Sequence, residues 1–335
     1  MRKEILTEQL VVGMFVELPL SWTKHPFIKN RFLIKNQDQI KKIRECGLKQ
    51  VTINTDLGDP KALPADPDNL STSDIILDPK DQDVPVIWKP ETLVPESLFE
   101  AMSDAKMASE QKAKAVYNHS RTMIERLLET PTAENIVTSK KVIASITDLV
   151  LTDDETANNM LRITSHDFYT YTHSVNVGIT SIMLSKALFK NSDAHDLHEM
   201  GAGFFLHDLG KVMVDPEVIN KPGKLTDAEM AHMRIHPFQG FKILKKANAL
   251  SDECRCIIMQ HHEYEDGTGY PKRLKGKEIH RYARICCIAD VFDALTSERS
   301  YKKAMKPFDA LKLMQQQMAS HFDKKLFSEF VLLFK

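Results

Sequence analysis

Two short runs limit what this chain can fold into more than anything else in it. They are His207-Asp208-Leu209-Gly210-Lys211 and His261-His262-Glu263-Tyr264-Glu265-Asp266-Gly267-Thr268-Gly269-Tyr270-Pro271. Neither suits core packing. Adjacent imidazoles followed by acids and two glycines put ligand-type side chains beside a turn, where a metal and a substrate backbone can both approach. Any fold must bring both runs to one place, and the sequence between and around them is helical. Past Pro131, Ile136, Ile143, Ile146 and Val150 keep helical spacing, and no alternating strand pattern follows. The spacing predicts further helices at about 167–190, 195–207, 237–247, 251–262, 278–297 and 307–318. Thr152-Asp-Asp-Glu155 and Thr226-Asp-Ala-Glu229 read as capping boxes. This part is therefore expected to be an all-helical bundle of seven or more helices.

The first 65 residues read differently, as a small β-rich module. Leu10 to Leu18 suggests strands around Gly13, Gln37 to Cys46 has helical spacing through Ile40 and Ile43 with Gly47 as C-cap, and Gln50–Asn54 alternates as a strand. Trp22, His25, Pro26 and Phe27 read as a packed loop. Residues 66–95 are rich in Asp and Pro and read as a linker. The helical part is expected over 96–335, opening with a capping box at Ser97–Glu100 and one long helix to about Leu128. That helix, or the N-terminal module, is the expected place for a homodimer or signalling-protein contact.

A length of 335 residues allows roughly two domains. The five cysteines are odd in number and never spaced Cys-x-x-Cys, which excludes a disulfide framework and a zinc ribbon. No apolar run is long enough to span a membrane, and the Met1 end carries no secretory pattern, so a cytoplasmic location is expected. A net charge of -1 argues against capture of duplex nucleic acid but permits a basic pocket for a small phosphorylated ligand.

Around the two runs, further ligand-type residues sit on helical segments. His173 lies mid-helix, His236 precedes Pro237 at a helix start, and Asp290 lies within the apolar stretch Ile285-Cys-Cys-Ile-Ala-Asp-Val-Phe-Asp293. With His207, Asp208, His261 and His262 they exceed one tetrahedral site and suit a two-metal centre with a bridging carboxylate, iron or manganese fitting the mixed donor set. For any one of these histidines a hydrogen-bonded core role is the stronger reading; their conjunction reverses it. Such a centre activates a bridging water against a phosphoester. Lys211, one helical turn past Asp208, and Arg299 and Lys302, beyond the Asp290 helix, supply the anion contacts. Gly267 and Gly269 allow tight turns, and Tyr270 offers a ring face and a hydroxyl.

These residues closely resemble the HD-GYP family, bacterial HD-superfamily phosphohydrolases that degrade cyclic dinucleotides. The resemblance covers about 150 to 320. His207-Asp208-Leu-Gly-Lys211 matches the HD motif, Gly269-Tyr270-Pro271 the GYP motif, and Asp290-Val-Phe-Asp-Ala-Leu-Thr-Ser the segment with the last metal ligand. The stretch from Trp22 to Leu33 looks like the small domain often found before HD-GYP domains. The resemblance implies a mainly α HD-type bundle and hydrolysis of cyclic di-GMP to pGpG, and in some members on to GMP; other members prefer cyclic GMP-AMP. It implies His173, His207, Asp208, His236, His261, His262 and Asp290 as metal ligands, with Asp208 bridging. Lys211, Tyr270, Arg299 and Lys302 become substrate contacts, and Asp208 and Lys211 the catalytic pair. Zinc, nickel or magnesium are alternatives to iron or manganese. Members with a third metal carry a glutamate one turn before the first histidine; Tyr169 stands there, so two ions are expected. Arg299-Ser300-Tyr301 replaces the family's usual Arg-Pro-Tyr. Two other readings remain open: a sensor that binds a dinucleotide without cutting it, and another HD-superfamily nucleotide phosphohydrolase, which would not need the GYP segment.

Overall fold

The computed structural model describes residues 2–18, 31–55, 87–164, 170–190, 192, 194–221, 223–297 and 304–335. Trp22, His25, Pro26, Phe27, Tyr169, Arg299, Lys302 and residues 66–86 of the expected linker lie outside them. The chain divides into two compact units, Met1–Ile87 and Trp88–Lys335.

Among its described residues the first unit is a four-stranded antiparallel sheet with one α-helix. Strands β1 (Arg2–Leu6), β2 (Phe15–Glu17), β3 (Arg31–Leu33) and β4 (Gln50–Asn54) lie in the order β1-β4-β2-β3, and Ile5 pairs with Val51. Alternation sets the buried face: Val51 and Ile53 of β4 turn inward onto Ile5 and Val16, while Gln50 faces solvent. Helix α1 (Gln37–Glu45) closes that face with Ile40 and Ile43. Its start is fixed by the Asn36 side chain, which accepts from the Gln39 amide at 3.0 Å; its end is fixed by Gly47 at φ +72°.

The second unit is all-helical and starts earlier than residue 96. Helix α2 (Pro90–Leu93) buries Leu93, Trp88 Nε1 donates to Glu129 at 2.7 Å, and Asn135 Nδ2 donates to the Trp88 carbonyl at 2.8 Å. The single long helix expected over 97–128 is two, α3 (Glu96–Ser103) and α4 (Ser109–Glu129). The break falls where Asp104 accepts from the amide of Lys106 at 2.8 Å, a local turn that competes with helix propagation. Ser97 is inside α3, hydrogen-bonded to His119, and the N-cap position is Pro95. Helix α5 (Ala133–Thr152) runs into α6 (Asp154–Thr164). The α6 cap is Asp153, which accepts from the Thr156 amide and hydroxyl; Thr152 instead bonds back to Asp148.

The centre of the bundle is made by α7 (Thr170–Phe189), α8 (Leu197–Leu206) and, further along the chain, α13. Between them come α9 (Pro216–Ile219), α10 (Asp227–Met233), α11 (His236–Lys246) and α12 (Asp252–Gln260). Helix α13 (Arg281–Thr296) is followed by α14 (Pro307–Gln317) and α15 (Lys324–Leu332). Helices α7 and α13 bury side chains on every face, Val175, Val177, Ile179 and Ile182 in one, Ile285, Cys286, Ile288 and Ala289 in the other. A helix apolar all round belongs to an interior, and any polar group it carries there needs a partner. Among the polar groups on these two helices, His173, Asn176, Asp290 and Asp293 meet at one end of the bundle.

Candidate metal centre

Four chain segments deliver the two runs to the same end. His207 is the C-cap of α8, and Asp208 follows it into a tight 3-10 turn over Leu209–Met213. Gly210 lets that turn lie against the start of α11, because a β-carbon there would collide with the His236 carbonyl and the Gly240 amide. His236 opens α11 and His261 caps α12, so both imidazoles leave rigid helix ends. Gly269 presses on the backbone of His262 and Tyr264 in the same way, bringing Tyr270 over the site. The Tyr270–Pro271 bond is cis.

Seven of the expected residues, His173, His207, Asp208, His236, His261, His262 and Asp290, surround one centre, and all but Asp290 fall into two groups. Asp208, His236, His261 and His262 form one; His173, His207 and Asp208 form the other, with the donor atoms of each group within 4.8 Å of one another. Asp208 belongs to both. Its Oδ1 is 3.3 Å from His236 Nε2 and 3.9 Å from His261 Nε2; its Oδ2 is 3.3 Å from His173 Nε2 and 3.4 Å from His207 Nε2. Asp290 also reaches both groups, with Oδ1 3.2 Å from His173 Nε2 and Oδ2 3.5 Å from His262 Nδ1.

The protons on these rings are assigned by their outer partners. His207 Nδ1–H donates to the Phe204 carbonyl at 2.8 Å, His236 Nδ1–H to Met233 at 2.8 Å and His261 Nδ1–H to Ile258 at 3.0 Å. A carbonyl only accepts, so in each neutral ring Nε2 is left as a bare lone pair turned inward. The lone pairs of His236 Nε2 and His261 Nε2 face each other at 3.2 Å, and His207 Nε2 lies 3.3 Å from His173 Nε2. Burial drives the neutral state, pushing His236 down to about 3, His262 to about 4 and His261 well below the usual imidazole range. Asp208 Oδ1 is buried without a hydrogen-bond donor. A carboxylate oxygen and several imidazole nitrogens that all accept and none of which donates is a donor set for a cation, and the residues fit a divalent metal.

The other half differs. Burial opposes charge on His173, but hydrogen bonds to Asp208, Asp290 and Asp293 outweigh it and hold the imidazole well above its ordinary value. Asp208 and Asp290 stay ionised: burial acts against it, and Lys211 with the His173 hydrogen bond for Asp208, and the His173 hydrogen bond for Asp290, overcome it. Lys211 Nζ lies 2.5 Å from Asp208 Oδ2, so the expected phosphate contact is at the shared carboxylate. Tyr270 stacks on His262 with centroids 4.5 Å apart. Arg299 and Lys302 are among the residues outside the description.

Several site residues were missed in the sequence. The acids that follow His261-His262 turn away from the centre: Glu263 is buried and accepts from the amides of Lys272 and Leu274, Glu265 pairs with Arg284, and Asp266 bonds Thr268 and Ser320. They shape the loop. Asp293, one turn past Asp290, accepts from His173 Nδ1–H at 2.6 Å; its Asp-x-x-Asp spacing on one helix face was the available signal. Arg234, exposed, sits 5.3 Å from the Tyr270 ring centroid, a cation over an aromatic face at the rim of the site.

A helical bundle that converges histidines and aspartates on a shared carboxylate belongs to the class of metal-dependent HD phosphohydrolases. Comparison with known proteins places it further. An HD-domain family model matches residues 155–326 and a domain of unknown function, DUF3391, matches residues 2–141. Cyclic di-GMP phosphodiesterase PA4108 of Pseudomonas aeruginosa is 33% identical over 99% of this chain and 76% of its own length. The 3'3'-cGAMP-specific phosphodiesterase 3 of Vibrio cholerae is 36% identical over 48% of this chain and 34% of its own. Bd1817, an HDG"Y"P protein from Bdellovibrio bacteriovorus, shares the fold, with a TM-score of 0.60 at 15% identity over 100% of this chain and 99% of its own. The chain belongs to the HD-domain family, in its HD-GYP branch.

Proposed function

We propose that this protein is a cyclic-dinucleotide phosphodiesterase that opens the 3'-5' phosphodiester ring of cyclic di-GMP to the linear dinucleotide, using two divalent metal ions. The observation that carries the reading is the buried, undonated Asp208 Oδ1 facing the bare Nε2 atoms of His236 and His261, with the other oxygen of the same carboxylate facing His173 and His207. Asp208, His236, His261 and His262 would hold one ion, and His173, His207, Asp208 and Asp290 the other. Their mixed nitrogen and oxygen donors suit iron or manganese. When bound, such a pair supplies a nucleophile at neutral pH and neutralises charge on the phosphoryl oxygens.

The chain's own residues supply the rest. Asp208 fixes the two halves relative to each other. Lys211 brings a positive charge to the same carboxylate, where it stabilises charge building on a phosphoryl oxygen. Tyr270, held flat on His262 with Arg234 above its outer face, provides an aromatic wall against a guanine base. Arg299 and Lys302 remain proposed phosphate contacts. The name of the relative aligned over nearly the whole chain favours cyclic di-GMP; the Vibrio enzyme makes 3'3'-cGAMP the competing substrate. Among the described residues no helix is long and apolar enough to cross a membrane. We place the protein in the cytoplasm, where cyclic dinucleotides act.

The test is product analysis with purified protein and manganese or ferrous iron against cyclic di-GMP, 3'3'-cGAMP, a deoxynucleoside triphosphate and a generic phosphodiester. Preferential conversion of cyclic di-GMP to linear product supports the reading. Tight binding without cleavage makes the protein a sensor, and cleavage of the triphosphate alone makes it a different HD phosphohydrolase.

A further inference from the structure

A buried hydrogen-bond chain leaves the metal centre and ends on a helix that carries none of the seven clustered ligands. His173 Nδ1–H donates to Asp293 Oδ2 at 2.6 Å, Asn176 Nδ2 donates to Asp293 Oδ1 at 2.7 Å, and the Tyr117 hydroxyl donates to Asn176 Oδ1 at 2.7 Å. Tyr117, Asn176 and Asp293 are each at most 4% exposed. The residues come from α4, α7 and α13, so no local spacing links them.

The chemistry of the chain runs in one direction. Both Asp293 oxygens accept, one from the Asn176 amide N–H and the other from the His173 N–H. The Asn176 amide therefore turns its carbonyl the opposite way, toward α4. That carbonyl is buried, and the Tyr117 hydroxyl is its donor. With Tyr117 in place, Asn176 cannot flip without setting its oxygen against the Asp293 carboxylate and taking from the Tyr117 hydroxyl its acceptor. Asp293 is thereby pinned in plane with the His173 ring, and Nε2 is aimed between Asp208 and Asp290. Removing the phenol oxygen leaves a buried carbonyl without its partner and releases the amide.

We infer that Tyr117 is a positioning residue for the His173 half of the metal centre, acting through Asn176 and Asp293. The inference rests on the proposed role of His173 as a ligand. It has a consequence for domain organisation: α4 lies within residues 2–141, matched by the domain of unknown function, and not within the HD-domain match at 155–326. The HD centre is completed by a side chain from outside the HD match, and a change in α4 reaches one metal and not the other.

The test is calorimetric titration of metal-free full-length protein with zinc, comparing wild type with Tyr117→Phe. Loss of an outer partner of a ligating histidine costs about 10- to 100-fold in metal affinity. Tyr117→Phe should weaken one of two sites by about 10-fold and leave the other within about twofold. Tyr282→Phe, which removes a hydroxyl bonded to His195 at 2.7 Å away from the centre, should change neither. Unchanged affinities in Tyr117→Phe, or equal weakening of both sites, overturns the inference, since a purely structural tyrosine would act on both alike. Should Tyr117→Phe fail to fold, nitrogen-15 spectra of zinc-loaded wild type decide. His173 should carry a slowly exchanging, far-downfield proton on Nδ1, and a proton on Nε2 or fast exchange at Nδ1 contradicts the relay. Absence of zinc binding by wild type would instead sink the metal-centre reading itself.

Discussion

The two halves of the centre should take up metal with different pH dependence. At the half built from His236, His261 and His262, burial keeps the rings neutral, with His236 at about 3 and His262 at about 4. A metal arriving above about pH 5 meets free lone pairs, so affinity there should be flat through neutrality. At the other half, His173 is held protonated in the metal-free protein by Asp208, Asp290 and Asp293 against the cost of burial. Proton and metal compete for the same Nε2, so below the raised value each metal bound must expel one proton. Apparent affinity there should rise with pH by about tenfold per unit, or about 1.4 kcal/mol, below that raised value, flattening once the metal-free ring is itself neutral. Asp208 and Asp290 are ionised throughout this window and add no slope. Manganese titrations of metal-free protein in buffers of different ionisation enthalpy count the protons released. About one proton at one site and none at the other is the expected result. Equal release at both sites, or release at neither, would refute the assignment of His173 as the charged member of the cluster.

Asp208→Ala should abolish dinucleotide hydrolysis and lower bound metal at both halves, whereas His207→Ala should lower it chiefly at one; metal analysis beside a product assay separates them. Lys211→Ala should cut kcat by roughly 100-fold or more with metal content near wild type, because its charge is needed for the phosphoryl group and not for binding the ions. Gly210→Ala should cost about 2–3 kcal/mol, read as a lowered Tm, and reduce metal content, since the methyl meets backbone of α11 that cannot step aside without moving His236. A fragment starting at Trp88 should fold alone and be more stable than one starting at residue 96, by at least about 2 kcal/mol, because the shorter one loses the buried Leu93 and the Trp88 hydrogen bonds. Equal denaturation midpoints would contradict that.

Elements with a single strong period were legible in the sequence. Strand β4 alternates, α1 keeps Ile40 and Ile43 on one face with glycine behind it, and α8 and α13 stand out as apolar runs. The seven clustered residues stood out for the same reason: histidine or aspartate inside or at the end of an apolar helix is costly unless a partner or an ion awaits it. Where two local signals competed, the structure chose otherwise. Asp153 took the cap expected of Thr152, and Asp104 ended a helix whose composition favoured continuation. The relay from His173 through Asp293, Asn176 and Tyr117 was not legible, because its hydrogen-bonded pairs are 59 to 120 positions apart and its members are ordinary residues in isolation. The acids after His261-His262 lent that run its ligand-type look, but backbone amides of the loop claim Glu263.

The central claim is that Asp208 joins two metal sites into one catalytic centre for a cyclic dinucleotide. It is tested most directly by titrating metal-free protein with manganese while following the initial rate of cyclic di-GMP cleavage. The account predicts almost no turnover through the first equivalent and a steep rise as the second binds, with no rise in Asp208→Ala. Full activity at one equivalent, or activity that survives loss of the shared carboxylate, would contradict it.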